Sequence, residues 1–322
     1  MTGLAGTHEV RRHELIADEN LAGLRLDQAL ARALPEYSRT RIRRWIEDGE
    51  VTVEGAPARP RDKLRAGDRV VLTARLEPVV ADRPEPIALD VVHADRALLV
   101  VNKPAGLVVH PGAGNPRGTL VNALLHYAPE LATLPRAGLV HRLDKDTTGL
   151  LVVARTTGAH AALVAALERH ELHREYLALV RGEVVAGETI EAPIGRHPTA
   201  RTKMAVVDRG REAVTHTRVA ERLHGYTLLA VTLETGRTHQ IRVHLAHRGM
   251  PIVGDPVYGG RFGPPAGLTV EAREALTSFR RQALHARRLA FTHPATGAAL
   301  DFEAPLPADF AELLAVLRGK GI

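Results

Sequence analysis

The 322-residue sequence contains no cysteine, and this absence excludes several kinds of chemistry at once. Without thiols the chain cannot form disulfides, hold a thiolate-bound metal or use a cysteine nucleophile. Aromatic residues make up only 3% of the chain, and Trp45 is the sole tryptophan, which argues against an extended platform for stacking bases. Any chemistry must therefore depend on oxygen and nitrogen groups.

Long apolar runs are also missing. No stretch approaches the ~20 apolar residues that a membrane-spanning helix needs, and residues 1–20 lack the apolar core of a signal peptide. The sequence therefore predicts a cytoplasmic protein. Nothing in it indicates an obligate interface, so we expect a monomer.

The charge balance favours a polyanionic partner. The chain has 43 lysines and arginines against 37 acidic residues, a net charge of +6 and a sequence pI near 9.9. Arginine dominates, and its planar fork suits bidentate contacts with phosphate. Composition alone leaves two explanations open, a nucleic-acid partner or a coding bias towards alanine and arginine.

A proline-studded, charged stretch at residues 76–88 has no hydrophobic period, which is typical of a linker. It predicts a small domain at residues 21–75 and a large one at residues 89–322, with residues 1–20 as an amino-terminal extension. No internal repeat or low-complexity tract interrupts either part.

The small domain begins with two amphipathic helical patterns. Their apolar residues recur at helical spacing, namely Leu26, Leu30, Leu34, Ile42, Trp45 and Ile46. Ser38 is a candidate N-cap for the second helix. The outward face of that helix carries four arginines, Arg39, Arg41, Arg43 and Arg44. A charge run is more often a solvated surface than a binding site, so the patch by itself leaves both interpretations open.

Four ordered segments of the small domain make it similar to the S4 RNA-binding domain. They are R-L-D-Q-A-L (25 to 30), S-R-T-R-I-R-R-W-I (38 to 46), G-E-V-T-V-E-G (49 to 55) and A-G-D-R-V-V-L (66 to 72). Glu54 departs from the asparagine common at this turn, which weakens the expectation of an RNA contact there. The resemblance implies that the four arginines bind RNA.

The large domain mixes strands and helices without regular alternation. Strands are predicted at 97–101, 150–154, 176–180, 213–219 and 227–233, and helices at 120–127 and 159–169. The continuous apolar runs at 97–101 and 150–154 indicate strands that are covered on both faces. This pattern predicts an α+β fold with a large mixed, mainly antiparallel sheet.

The densest polar cluster is H-R-L-D-K-D-T-T-G at residues 141–149, directly before a buried strand. An aspartate in such a loop is usually a turn former, but the nonamer resembles the catalytic motif of the RluA-type pseudouridine synthases. Further segments match that family in order, and the resemblance spans nearly the whole chain. They are V-N-K-P-A-G-L-V-V-H-P-G-A-G-N-P (101 to 116), R-E-Y-L-A-L-V (174 to 180), R-H-P-T-A-R-T-K-M-A-V (196 to 206), L-E-T-G-R-T-H-Q-I-R-V-H (233 to 244), P-I-V-G-D-P-V-Y-G-G-R (251 to 261) and R-Q-A-L-H-A (281 to 286).

The resemblance implies roles for individual residues. Asp144 corresponds to the family's catalytic aspartate, Tyr176 to its active-site tyrosine and Arg242 to its active-site basic residue. Arg142 would fill the gap that the target base leaves in its stack, and His141 would lie near backbone phosphate. The implied substrate is large-subunit ribosomal RNA, free or in a pre-ribosomal particle.

Local patterns bear on Arg242 and Tyr176 independently. If Thr238 is the N-cap, Arg242 lies in the first turn of a helix, where a cation opposes the helix dipole. A local rule broken in this way suggests a functional partner such as Asp144, although a tolerated surface arginine would look the same. Tyr176 equally fits a strand aromatic packed in the sheet.

Lys103 follows a strand and precedes a proline, so we expect it at the strand end, either as a phosphate contact or as a plain solvated lysine. The histidines His239, His244 and His247 lack an H-E-x-x-H pattern and a matched carboxylate, which argues against a metal site. No Walker pattern is present, so we also expect no nucleotide cofactor.

The implied reaction breaks the bond between N1 and C1′ of a flipped-out uridine and rejoins the base through C5. Asp144 would act either as a nucleophile or by taking the 2′ proton to give a glycal, and sequence does not choose between these routes. A noncatalytic RNA-binding factor would explain the basic charge equally well, but not the set of Asp144, Tyr176 and Arg242. A metal-dependent nuclease needs a carboxylate cluster that the sequence does not provide.

Overall fold

The chain folds into two compact units, Met1–Ala81 and Asp82–Ile322. The structure, a computed structural model, describes residues 9–34, 37, 39–76, 83–112, 114–200, 203–260 and 263–319. Within these ranges the side chains of residues 9, 40, 41, 75 and 76 are not described, and the predicted N-cap Ser38 lies outside the described residues. We call the two parts the first and the second unit.

The first unit combines two helices with a small antiparallel sheet whose strand order is β1-β4-β2-β3. Its elements are β1 (Glu9–Ile16), α1 (Leu26–Ala33), α2 (Arg39–Glu47), β2 (Val51–Val53), β3 (Ala56–Pro57) and β4 (Arg69–Leu76). The prediction that residues 1–20 form an extension is wrong for β1, because this strand pairs with β4 along its whole length. It lacks a strong apolar alternation, so its pairing was not visible in the sequence.

The helices of the first unit bury the stripes that the sequence predicted. Leu26, Leu30 and Ile42 are fully buried, with Trp45 and Ile46 beside them in one core. This core contains a buried acid as well. Asp27, whose side chain is 2% exposed, accepts hydrogen bonds from the guanidinium groups of Arg25 and Arg39. Since a buried carboxylate needs partners, Arg39 has a structural task in this unit.

The second unit is built on a nine-stranded sheet with the strand order β5-β6-β7-β14-β8-β13-β12-β9, and β15 pairs with β14. A two-stranded ribbon, β10 with β11, stands apart from it. The strands are β5 (Asp90–Ala94), β6 (Leu98–Lys103), β7 (Thr148–Ala154), β8 (His173–Arg181), β9 (Thr189–Glu191), β10 (Ile194–Arg196), β11 (Met204–Val206), β12 (Val214–Leu223), β13 (Tyr226–Leu233), β14 (Leu284–Thr292) and β15 (Ala299–Glu303). The helices are α3 (Leu120–Tyr127), α4 (Thr157–Glu168), α5 (Gln240–His247), α6 (Val270–Ser278) and α7 (Ala308–Arg318).

Among the described strands of this sheet, β7 and β14 are the parallel pair and the other pairings are antiparallel. The predicted α+β fold with a mixed, mainly antiparallel sheet is therefore confirmed. Alternate residues of β7 enter different cores: Leu151 and Val153 join the larger one, and Leu150 and Val152 join a second one. Because successive side chains of a strand point to opposite faces, the sheet is covered on both sides here.

The division between the units falls inside the stretch predicted as a linker, but the later part of that stretch belongs to the second unit. The carbonyl of Arg83 accepts a hydrogen bond from the Asn122 side chain at 2.9 Å. The backbone N–H of Glu85 donates to the carbonyl of Asn122, and the Glu85 carboxylate accepts from Gly118 N–H. These bonds bind residues 83–85 to the start of α3.

The buried Asp27 gives a test of the first unit. We expect Asp27→Ala to lower the free energy of unfolding of this unit by about 1 to 3 kcal/mol, because two guanidinium groups lose their acceptor. Fluorescence of Trp45, the only tryptophan and a core residue of this unit, reports its unfolding in the full chain. Glu47→Ala is the matched control, since its pair with Arg43 is exposed and contributes only a few tenths of a kcal/mol.

The same comparison has a pH dependence. Burial acts to raise the pKa of Asp27, but Arg39 and Arg25 outweigh this effect and lower the pKa below its ordinary value. A carboxyl group with a lowered folded-state pKa stabilises the fold above its unfolded pKa, near ~4, and this contribution disappears as the pH falls further. The difference between wild type and Asp27→Ala should therefore shrink below about pH 4. An equal difference at pH 3 and pH 7 would contradict this account.

Candidate active site

A cavity of about 810 Å³ opens in the second unit and is lined by the loop before β7, by β8 and by the start of α5. Asp144, Tyr176 and Arg242 all line it, as do His141 and Arg142. The structure thus brings together five of the residues that the sequence singled out. A volume of this size accommodates a small-molecule group such as a nucleoside.

The loop that carries Asp144 is fixed by hydrogen bonds to its backbone and side chains. Lys103 donates to the carbonyl of Lys145 at 2.7 Å, Arg281 to that of Asp146 at 3.3 Å, and the Gln282 amide to the Thr147 hydroxyl at 3.0 Å. Two separate chain segments therefore anchor three consecutive residues of this loop. Such anchoring holds a functional carboxylate in place before any ligand binds.

Gly149 follows this loop and permits the parallel pairing of β7 with β14. Its φ is +112°, and a Cβ atom built there would lie 2.2 Å from the carbonyl oxygen of Ala286. Only glycine allows the two backbones to approach so closely. The glycine that ends the nonamer is thereby explained by packing.

Lys103 does not lie where a phosphate could reach it, which corrects both expectations for this residue. The side chain is 1% exposed, and its ammonium group donates to the carbonyls of Pro104, Leu107 and Lys145. All three donors are thus in use inside the fold. Burial lowers the pKa of Lys103 to about 7, while Asp146 and Asp144 act in the opposite direction.

Arg242 lies in the first turn of α5, as predicted, but the helix begins differently. The N-cap is His239 and not Thr238, and no side chain caps the helix there. Arg242 is 4% exposed and faces the N-terminal end of the helix dipole, where a cation is disfavoured. It therefore needs compensating partners.

Two carboxylates provide that compensation. Asp255, whose side chain is fully buried, accepts a bidentate pair from Arg242 Nε and Nη2 at 2.7 and 2.8 Å, and Asp144 Oδ2 accepts from Nη1 at 3.0 Å. Burial of Arg242 acts to lower the pKa of its guanidinium group, but the paired Asp255 carboxylate outweighs this effect and raises the pKa above its ordinary value. Burial of Asp255 acts to raise the pKa of its carboxyl group, but Arg242 outweighs this effect and lowers the pKa below its ordinary value. Asp255 thus fixes the guanidinium, which in turn presents one N–H to Asp144.

Tyr176 is 4% exposed and occupies the middle of β8, on the same strand face as Arg174. Burial raises the pKa of its hydroxyl group, and the charge of Arg174 acts in the opposite direction. The residue is both a packed strand aromatic, as one interpretation of the sequence held, and a wall of the cavity.

Arg142 is exposed at the cavity, and within the described residues its side chain makes no hydrogen bond or ion pair. His141 lies differently from its expected position near phosphate. Its Nε2 accepts a hydrogen bond from Val152 N–H at 3.1 Å, and its Nδ1 is buried without a partner among the described residues. Burial, assisted by Arg174, lowers the pKa of His141 to about 3. Neither ring nitrogen is open to a phosphate, which corrects the expectation.

The arginines of α2 differ in their ion-pair partners. Arg39 pairs with the buried Asp27, whereas Arg43 and Arg44 are exposed and form i,i+4 pairs with Glu47 and Asp48, respectively. The side chain of Arg41 lies outside the described residues. Arg43 and Arg44 thus form an exposed basic surface.

Sequence reasoning missed three residues around Asp144. Asp255 holds Arg242, Tyr258 packs its ring 5.0 Å from the Arg242 guanidinium carbon, and His239 places Nε2 3.8 Å from Asp144 Oδ1. All three occur in segments that resembled the family, D-P-V-Y and T-H-Q-I-R, but no local pattern indicates their contacts. They meet only because the 251–260 segment packs against the start of α5.

The remaining histidine of interest is structural. His244 is fully buried and bonds the hydroxyl of Thr215 and the carbonyl of Ala192. Among the described residues, no group of three or more histidine or acidic side chains is arranged to hold a metal ion. The helices in the described part of the chain are all too short or too polar to cross a membrane.

Comparison with known proteins agrees with this fold. Residues 97–247 match the family model described as RNA pseudouridylate synthase, and residues 24–70 match the S4 domain model. An RNA-binding unit joined to a catalytic unit defines an RNA-modifying enzyme, here an isomerase. The chain belongs to the RNA pseudouridylate synthase family, which confirms the resemblance seen in the sequence.

Similar proteins cover nearly the full length. The Pseudomonas aeruginosa protein called ribosomal large subunit pseudouridine synthase D is 54% identical over 298 residues, which covers 92% of this chain and 93% of the relative. The protein of the same name from Escherichia coli K12 is 52% identical over 301 residues, 93% of this chain and 92% of the relative. The solved structure of human RNA pseudouridylate synthase domain containing 1 has a TM-score of 0.54 at 28% identity, covering 72% of this chain and 90% of that one.

The two carboxylates that bond Arg242 should differ in how much they contribute to the stability of the fold. Asp255→Ala should lower the free energy of unfolding by about 3 to 5 kcal/mol, because it leaves a buried guanidinium without its main partner. Asp144→Ala should cost about 1 kcal/mol or less, since Asp144 is partly exposed and Arg242 keeps Asp255. Chemical denaturation monitored by circular dichroism measures both. Equal losses would contradict the division of roles.

Proposed function

We propose that the protein isomerises specific uridines of 23S ribosomal RNA to pseudouridine, with Asp144 as the catalytic carboxylate. The observation that carries this proposal is the position of Asp144: it lies on an anchored loop, at a cavity, with one oxygen bonded to a buried arginine. The names of the relatives from Pseudomonas aeruginosa and Escherichia coli support the large-subunit substrate.

The two carboxylate oxygens of Asp144 differ in their hydrogen-bond partners. Oδ2 accepts the hydrogen bond from Arg242, while Oδ1 accepts none from the described residues and lies 3.8 Å from His239 Nε2. Oδ1 is therefore the oxygen available to add to the sugar or to take its 2′ proton. Either route uses a charged carboxylate, and Arg242 supplies its counter-charge.

The other cavity residues act on the base and the RNA strand. The Tyr176 ring would lie against the uracil, and its hydroxyl would assist removal of the C5 proton before the reaction ends. Arg142 is free to enter the gap that the flipped base leaves in its stack, because no other described residue engages its side chain. The isomerisation is internally balanced and consumes no cofactor. We propose that it takes place in the cytoplasm with a monomeric enzyme.

The first unit would bind RNA through the exposed surface formed by Arg43 and Arg44, with Arg41 on the same helix. Arg39 contributes in a different way, because it is committed to Asp27 and so stabilises the fold of the binding unit. Recognition then depends on phosphate contacts and RNA shape, with few aromatic side chains to stack on bases.

The central test replaces Asp144. Asp144→Asn keeps the size of the side chain but removes the charged oxygen, so we expect no detectable pseudouridine and an RNA affinity within about twofold of wild type. Carbodiimide mapping of 23S RNA from a strain that lacks the enzyme, incubated with each variant, measures the product. Asp146→Asn, two residues along the same loop, is the matched control and should stay active. An active Asp144→Asn enzyme would remove this carboxylate from the mechanism.

The basic surface of the first unit is tested separately. We expect the double variant Arg43→Gln, Arg44→Gln to bind RNA more weakly and with a flatter salt dependence, by about 0.7 to 0.9 in the slope for each lost phosphate contact. Filter binding at several salt concentrations gives both quantities. Arg288→Gln, which alters an exposed, ion-paired arginine of β14, is the control and should leave the slope unchanged. An unchanged slope in the double variant would exclude this surface.

A further inference from the structure

His239 has an unusual backbone conformation next to the catalytic carboxylate. Its φ is +58°, in the left-handed region, although it is not a glycine, and it occupies the N-cap of α5 without capping the helix. Such strain costs about 1 to 3 kcal/mol in general and concentrates at functional sites. The side chain is 22% exposed and lines the cavity, with Asp144 on one side and Tyr258 on the other.

The hydrogen bonds of Tyr258 determine which nitrogen of His239 carries the proton. The Tyr258 hydroxyl oxygen accepts from Met204 N–H at 2.9 Å and lies 2.8 Å from His239 Nδ1. Among the described residues, Nδ1 is the one acceptor within reach of the hydroxyl proton. Tyr258 therefore donates to Nδ1, and a neutral imidazole then has its proton on Nε2.

The ring is held neutral by its surroundings. Burial lowers the pKa of His239 below its ordinary value; Asp144 and Asp255 act against this effect, while Arg242 and Arg142 add to it. At neutral pH the residue is thus a neutral hydrogen-bond donor through Nε2. A neutral imidazole in this state can polarise a carbonyl group.

Among the residues that the structure describes, none offers the Nε2–H group an acceptor at hydrogen-bond distance. Asp144 Oδ1 lies 3.8 Å from Nε2, which is too long for a hydrogen bond. The donor therefore stands unpaired in the cavity, beside the carboxylate oxygen that is available for chemistry. A substrate oxygen placed next to Oδ1 would lie within its reach.

The proposed reaction creates a need for such a donor. When the bond between C1′ and N1 breaks, its electron pair leaves with the uracil, and the negative charge spreads over N1 and the two carbonyl oxygens. Arg242 already has three of its five N–H groups bonded to Asp255 and Asp144, so its positive charge is balanced by these two carboxylates. The carbonyl carbon C2 is bonded to N1, so its oxygen O2 is the carbonyl oxygen closest to the breaking bond.

We propose that His239 is a further catalytic residue, whose Nε2–H donates a hydrogen bond to O2 of the departing uracil, and that Tyr258 is the positioning residue that sets its tautomer. This inference rests on the proposed function. Charge balances in both routes: Asp144 becomes an ester to C1′ or a carboxylic acid carrying the 2′ proton, and uracil becomes the anion. His239 keeps its proton throughout and only stabilises that anion.

The first experiment compares RNA substrates that carry uridine or 2-thiouridine at one target site, in single-turnover reactions. Sulfur is a weaker hydrogen-bond acceptor than oxygen, so wild type should lose about tenfold more rate on the thio substrate than His239→Phe does. His239→Phe should itself reduce the rate on normal RNA about a hundredfold, with RNA affinity within about twofold. Turnover of normal RNA by wild type tests the proposed function independently.

His224→Phe is the matched control, because His224 is an exposed histidine bonded to the carbonyl of Ala266 and outside the cavity. Its rates on both substrates should equal those of wild type. If wild type and His239→Phe show the same relative loss on 2-thiouridine, His239 does not contact O2. A wild-type rate in His239→Phe on normal RNA would overturn the catalytic role itself.

The second experiment leaves His239 in place. Nitrogen-15 spectra of the histidine side chains should show the Nε2–H tautomer of His239 in wild type and a mixture in Tyr258→Phe, with a rate about tenfold lower. His244 is the internal reference, since its partners Thr215 and Ala192 are unaltered. A single unchanged tautomer in Tyr258→Phe, or an unchanged rate, would remove Tyr258 from the proposal.

Discussion

The candidate active site depends on one buried guanidinium group that bonds unequally to two acids. Arg242 lies at the wrong end of a helix dipole and almost out of reach of water, so it is tolerable only with strong partners. Asp255 takes two of its N–H groups in a sealed position, and Asp144 takes one at the edge of a cavity. Asp255 thus fixes the arginine, and the arginine fixes the acid at the cavity.

The loop that carries Asp144 is likewise held in place by residues that lie outside the loop. Lys103, Arg281 and Gln282 are buried, and each donates one hydrogen bond to an atom of this loop, so they are unavailable to RNA. Their contribution is preorganisation: the carboxylate does not have to be ordered when the substrate arrives. A charged residue near the cavity is therefore not necessarily a ligand contact, and buried Lys103 and Arg281 belong to the scaffold of the loop.

Much of the fold could be predicted from sequence. The strand around Leu150 and the helix that contains Leu124 follow from continuous or periodic apolar residues, because burial on two faces or one face leaves such a pattern. The nonamer around Asp144 indicated the site. The pairing of β1, the helix start at His239 and the enclosure of His141 left no comparable pattern, since each depends on segments far away in the chain.

By itself the sequence determined which family the chain resembles, where its apolar segments lie and which carboxylate is the candidate for catalysis, because these properties reside in short, contiguous stretches. Only the tertiary structure decided what each polar side chain does. Lys103 turned inward, Arg39 became the partner of Asp27, and Asp255, His239 and Tyr258 met around Asp144. The physical reason is that a polar group acts through its partners and its exposure to water, and packing between distant segments sets both.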